Sequence, residues 1–208
     1  MNYPIHALLS AVSILLPFTI GISVRKSFNL ANGLFWSYIV FLTIVQLGMM
    51  WLAGMRINNI WILNLMIPVQ SVWLAYLLYL WAKRPQMRVY LNLSLGLLIS
   101  VWIVSQYFIG SLHRLNFVTL SIQCVIFSIL CVLALYGLIE RQAGIVHQDE
   151  RFWFILGLLF YFAGTSLFYT LGYVLEEENS RSLWIIHSFT NIIANLLHSW
   201  GFLCLSRR

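Results

Sequence analysis

The 208 residues are 61% hydrophobic and only 9% charged, against roughly 25% charged in an ordinary soluble domain, which excludes a water-soluble globule. The net charge is +6, but the basic residues are scattered over several short connections without a dense patch, which disfavours nucleic-acid binding. Seven apolar stretches recur, near 5–24, 33–54, 60–82, 89–109, 116–139, 152–174 and 183–205. Each is about 18–24 residues long, enough for a bilayer-spanning helix. The expectation is an all-α, polytopic membrane protein: a seven-transmembrane-helix bundle forming a single domain over 1–208.

In chain order, Met1 to Pro4 lack the basic segment of a cleavable leader, so the first helix is expected to remain in place. On that helix Ser10, Ser13, Pro17 and Gly21 align on one face, a pattern that reads as close packing. The third helix aligns Asn64, Pro68, Ser71, Ala75 and Tyr79, with Gln70 to one side. After it, Lys83-Arg84-Pro85-Gln86-Met87-Arg88 forms a basic connection. The fifth helix carries Thr119 and Gln123 one turn apart, and the sixth carries Tyr161, Thr165, Tyr169 and Gly172 within a broad sector. Glu176-Glu177-Glu178 reads as a solvated loop, and Arg141 to Arg151 is the longest basic-side connection, where a cytoplasmic partner would dock. Cys124, Cys131 and Cys204 lie within helices without metal-type spacing and read as small apolar residues.

The last segment is the most informative. At about 100° per residue, Trp184, His187, Asn191, Asn195 and His198 fall on one face, with Ala194 and Gly201 beside them. Such a face must turn from lipid toward partner helices or a hydrated cavity. Eleven residues separate His187 from His198, about 16 Å along a helix, so one metal ion cannot bind both. The face therefore divides into two levels. His187 and Asn191 are candidate ligand contacts together with Asn64, at the same level, Tyr161 and Tyr169; Asn195 and His198 form an inner polar cluster that locks helices or passes a change inward.

Orientation follows from the cations. With the N-terminus outside, the inner connections hold Arg25, Lys26, Lys83, Arg84, Arg88, Arg141, Arg151, Arg207 and Arg208, and the outer ones only Arg56, Arg114 and Arg181. That asymmetry fits the positive-inside rule, places the C-terminus in the cytoplasm, and anchors the inner face to membrane lipids.

The acidic residues are Glu140, Asp149, Glu150 and Glu176 to Glu178, all in connections or at a helix end. No carboxylate lies within a span to couple transport to protons or sodium. The last helix has no lysine for a retinal Schiff base, and paired aspartates and HExxH are absent. Ser166 follows Gly164-Thr165 without the GxSxG elbow or a membrane carboxylate to orient a histidine, so no catalytic residue is assigned. Haem would need His187 to meet His6 or His113, or His198 to meet His147, partners at helix ends or in loops. No cofactor and no metal site is expected.

Trp61, Asn64 and Pro68 repeat the spacing of Trp184, His187 and Asn191, which is either the remnant of a parallel repeat in which the fourth helix links two three-helix units or a coincidence, since an interfacial Trp followed by a polar residue is common. Small sugar and vitamin transporters are similar in this gross plan, but their paired Pro-Gln signature is missing from the first and fifth helices, and Pro85-Gln86 falls in a connection instead. Asn58-Asn59-Ile60-Trp61 with Pro68, and His187-Ser188, Asn191-Ile192, Asn195 and Gly201-Phe202-Leu203, together resemble short, uncharacterised seven-helix integral membrane proteins of bacteria over the whole chain. The resemblance implies no activity. It implies a histidine in place of Asn64 and a glutamate in place of Gln70, so this chain lacks the ionisable members of that third-helix site.

The expected function is a non-enzymatic, receptor- or sensor-like protein of the bacterial inner membrane. It would bind a small molecule or lipid between the third, sixth and last helices and act through a cytoplasmic or membrane signalling partner. An uncoupled facilitator of a small neutral solute is the alternative, and a structural scaffold subunit the third reading.

Overall fold

A computed structural model of the chain describes residues 4–82, 85–109, 112, 114–141, 146–174 and 180–207. It is 92% helix, and no strand occurs among the described residues. Seven helices follow one another: α1 (Ile5–Ser27), α2 (Leu30–Gly54), α3 (Ile60–Ala82), α4 (Pro85–Ile109), α5 (Phe117–Arg141), α6 (Glu150–Val174) and α7 (Ser180–Ser206). The first six are long and apolar enough to cross a membrane, and the chain is a multi-pass membrane protein. The last helix is not one of those six, although its 27 residues exceed the length required. His187, Asn191, Asn195 and His198 dilute its apolar surface. Lys83, Arg84, His113 and Glu176 to Glu178 lie outside the described residues.

Local chemistry sets the helix ends. Asn29 accepts the Asn32 N–H at 2.9 Å, so α2 begins at Leu30, three residues before the hydrophobic pattern starts. Asn116 caps α5 in the same way through the Thr119 N–H, at 3.1 Å. Arg56, at φ 60°, ends α2 in a left-handed cap: the Ile57 N–H reaches the Leu52 carbonyl and the Arg56 N–H the Ala53 carbonyl. Pro85 opens α4 and Gln86 lies inside it, rather than in a connection, because a proline at the first helical position sacrifices no hydrogen bond.

Two internal prolines leave their marks. Pro17 cannot donate to the Ser13 carbonyl one turn earlier, and α1 is interrupted at Ile14. Pro68 likewise frees the Asn64 carbonyl within α3. There the Trp102 indole of α4 supplies the missing donor at 2.9 Å, and the helix continues.

The principal packing contacts close a ring of six helices in the order α1, α7, α6, α5, α3, α2 and back to α1. α4 stays outside, packed on α3 and α5. Only 17% of its apolar stretch is buried, against 50% for α5, so most of its surface is left for lipid. Exchanging α1, α2 and α3 with α5, α6 and α7 reproduces this ring in the same direction, as a two-fold axis along the bundle would. The two interfaces so related, α1–α7 and α5–α3, each carry one amide-to-hydroxyl bond, but with the amide on non-equivalent helices, α7 in one and α5 in the other. Asn195 donates to Ser13 at 2.8 Å, and Gln123 donates to Ser71 at 3.0 Å.

The end of the bundle opposite the N-terminus is filled by aromatic rings. Phe35, Phe154 and Phe202 are fully buried. Phe35 and Phe154 lie 4.3 Å apart, Phe154 and Phe202 4.8 Å, and Phe35 and Trp81 5.6 Å between ring centroids. Burying several such rings together is the largest apolar contribution that side chains of this type can make.

Candidate functional site

Above this aromatic plug, the six-helix ring encloses a cavity of about 240 Å³. All six helices contribute. Ala7, Ser10, Ala11 and Ile14 come from α1; Tyr38, Gln46 and Met49 from α2; Met66, Ile67 and Gln70 from α3; Gln123 and Cys124 from α5. From α6 come Leu158, Tyr161, Phe162, Thr165 and Tyr169, and from α7 Trp184, His187, Ser188, Asn191, Ala194, Asn195 and His198. Among the described residues, no charged side chain lines it. It lies toward the end carrying the N-terminus, between the start of α1, the end of α2 and the starts of α3, α5 and α7.

Four of the five expected contacts, His187, Asn191, Tyr161 and Tyr169, line this one space. His187 meets Thr165 of α6 across 3.3 Å through Nδ1, and its ring packs 5.2 Å from Phe168 and 5.9 Å from Trp184. Asn191 donates to Ser10 Oγ at 2.9 Å. Its amide therefore serves the α1–α7 contact as well as the cavity wall.

Asn64 departs from the expectation. It is fully buried and lies outside the cavity lining. Its amide donates to the Leu112 and Arg114 carbonyls at 2.7 and 2.8 Å, and its side-chain oxygen accepts the Asn116 N–H at 3.3 Å. Every polar atom of Asn64 that helix geometry leaves free is thus spent on tying α3 to the α4–α5 connection. The amide is a structural latch, consistent with the high cost of leaving such groups unpaired in a bundle.

The two levels of the α7 face also merge. The inner pair, Asn195 and His198, lines the same cavity as His187 and Asn191. Ala194 between them has no bulk to divide the space. Asn195 does lock helices, through Ser13. His198 does not: it is 4% exposed, and neither ring nitrogen has a hydrogen-bond partner. Its ring is seated by packing instead, 5.0 Å from Phe35 in an edge-on arrangement. Gly157 makes room for it, since a Cβ there would fall 2.4 Å from His198 Cδ2. Gly164 similarly lets Thr190 approach, and the two glycines bring α6 and α7 together.

The pocket extends to α1 and α2, beyond the expected set of α3, α6 and α7. Tyr38 and Gln70 meet there, with the Gln70 amide donating to the Tyr38 hydroxyl. Gln70 therefore points into the ring rather than aside. Gln46 and Gln123 were legible as polar residues in otherwise apolar spans, but only the ring closure gives them a common destination. Thr119, on the α5 face, turns instead toward Ser105 of α4 at 2.9 Å.

His6 lies on the first turn of α1 and His147 in a short helical turn after α5, and neither belongs to the cavity lining. Among the described residues, no group of three or more His, Cys, Asp or Glu side chains gathers as metal ligands. A second, more open recess of about 440 Å³ lies at the opposite end, beside Trp81 and the start of α6. Its charged groups are engaged: Arg151 pairs with Asp149, and Asn32 donates to Glu150 at 3.3 Å. Glu150 stands at a helix end but is only 3% exposed, a buried position that its place in sequence did not disclose. No family model, curated protein or solved structure matches the chain.

Proposed function

We propose that this chain is a non-enzymatic, receptor- or sensor-like membrane protein that binds a small neutral molecule within the six-helix ring. The supporting observation is the cavity itself: lined, among the described residues, by no charged side chain, walled by tyrosines and amides, and closed at one end by tightly packed rings. Pockets of this kind, apolar with a few convergent polar groups, are the usual form of ligand sites. A charged ligand would lose its hydration here without a counter-charge. A purely structural scaffold has no use for an internal space. The cation asymmetry supports an N-terminus outside, so the cavity would face the exterior of a bacterial cytoplasmic membrane and the plug its interior. A partner on the cytoplasmic side would read the state of the plug.

The test is unbiased mass spectrometry of small molecules that copurify with the detergent-extracted protein. The molecule so found is then added back in thermal-shift measurements. His187→Leu, and Ala11→Trp filling the space from α1, are expected to remove the stabilisation while the protein remains extractable. Full retention of the shift in both variants would sink the reading.

One observation favours a facilitator instead. The two-fold order of the ring places the cavity between two three-helix units, the arrangement in which repeat-built transporters hold their substrates. In that case, the copurifying solute crosses proteoliposome membranes down its gradient in wild type. The receptor reading expects no flux.

A further inference from the structure

We propose that the α6–α7 wall of the cavity is a recognition subsite for the carbonyl oxygen of a small neutral ligand, with the His187 Nε2–H as its fixed donor. The proposal rests on the reading of the cavity as a ligand site and names its ligand class.

Thr165 decides where the imidazole proton sits. Helical threonines commonly donate to the carbonyl one turn earlier, as Thr43 does to Ile39 and Thr190 to Ile186, both at 2.8 Å. Thr165 makes no such bond: its hydroxyl has one partner, His187 Nδ1, at 3.3 Å. Thr165 is only 1% exposed, so its proton needs an acceptor, and Nδ1 is the one in reach. With Nδ1 accepting, the neutral imidazole carries its N–H on Nε2.

That N–H is unspent and open. Unlike the His198 nitrogens, His187 Nε2 keeps accessible surface, on a residue that lines the cavity, and it bonds to no protein atom. The hydroxyls of Tyr161 and Tyr169 are in the same condition, open to the cavity and without a protein partner. These two tyrosines stand one turn before and one turn after Thr165 on α6, so all three groups gather around the Thr165–His187 contact. Phe168 and Trp184 hold the imidazole from its sides, at 5.2 and 5.9 Å between ring centroids. On the other walls, Asn191 and Asn195 donate to α1, Gln70 to Tyr38 and Gln123 to Ser71.

The wall is therefore rich in donors. An imidazole N–H donates and cannot accept, and a phenol beside it can donate too. Their common match is an oxygen with two lone pairs and no proton of its own, the carbonyl of a ketone, amide or ester. Donors fixed before the ligand arrives select it at little cost in ordering. Size narrows the class further. An apolar cavity of about 150 Å³ accommodates benzene, so the 240 Å³ here suits a carbonyl carried on a frame of bicyclic bulk.

Indanone and methyleneindane provide the test, being bicycles of nearly equal shape in which C=O is exchanged for C=CH2. Equilibrium binding to the detergent-extracted protein is measured for wild type, His187→Leu and His187→Gln. Wild type is expected to bind indanone about tenfold more tightly, the effect of one well-placed hydrogen bond in a dry site. His187→Leu abolishes that preference while still binding methyleneindane, and His187→Gln, whose amide restores an N–H, keeps it. Nitrogen NMR of the ligand-free protein is expected to show His187 protonated on Nε2 and bare on Nδ1. Should His187→Leu fail to fold, the wild-type contrast, the tautomer and His187→Gln still decide. Equal binding of the two bicycles by wild type, an undiminished preference in His187→Leu, a preference lost in a folded His187→Gln, or a proton on Nδ1 would overturn the proposal. If neither bicycle binds, yet Ala11→Trp expels the copurifying molecule, the subsite fails and the ligand cavity stands. If Ala11→Trp changes nothing either, both fall.

Discussion

Asn64 and His198 are both buried polar side chains on helices related by the two-fold order of the ring, and they end in opposite states. At the α3–α4–α5 corner, the Asn64 side chain and its proline-freed carbonyl are matched by Leu112, Arg114, Asn116 and Trp102. At the cavity floor, the His198 nitrogens are buried against the α6 backbone at Gly157 without a well-formed hydrogen bond. Polar groups in a membrane bundle hold helices together when they are paired with protein. When they are unpaired, they cost stability that packing must offset. The corner is a latch between helices, and the His198 ring is held by packing alone.

Perturbing the aromatic plug should have the largest effect, because it seals the floor. Phe35→Ala removes a fully buried ring from among Trp81, Phe154 and Phe202. A loss of about 3–5 kcal/mol is expected, read as a fall in unfolding temperature and as new labelling of introduced cysteines near His198 from the side of the plug. Next comes the corner. Asn64→Leu strands two carbonyls and an N–H, with a loss of about 2–4 kcal/mol. Its thermal scan should show that loss, while any ligand bound in the cavity keeps its affinity. A fall in affinity as large as the fall in stability would erase the distinction between scaffold and site.

Gly157→Ala tests how the His198 ring is seated. The added methyl would overlap Cδ2 and Nε2, and about 1–3 kcal/mol of overpacking is expected. The smallest effect has the opposite sign. His198→Leu removes unpaired polar atoms from a buried position, and the apo protein should gain about 1 kcal/mol in thermal unfolding. A destabilised apo His198→Leu would show that the imidazole already has a structural partner.

Much of the scaffold was legible in the chain. The apolar stretches located every helix, because a bilayer demands long runs that satisfy their own backbone. The α7 face was legible too, since a period near 3.6 separates His187, Asn191, Asn195 and His198 from the apolar side. Asn64 was misjudged because depth and polarity do not disclose direction. A rotation of α3 toward α4 turned the amide to the Leu112 and Arg114 carbonyls, and Pro68 gave Trp102 its acceptor. Tyr38 and Gln46 carried no periodic signal on α2, and only the neighbours of that helix in the ring brought them to the cavity.

By itself, then, the sequence determined a membrane bundle, the extent of its helices and the existence of a polar face on the last one. These are properties of single segments, fixed by the solvent each must meet. The tertiary structure decided which polar groups pair across helices, that α4 stands outside the ring, and that His198 is left over. Pairing depends on how neighbouring helices are rotated and how closely they approach. At Gly157 that approach comes down to a missing methyl group, whose consequence no single helix contains.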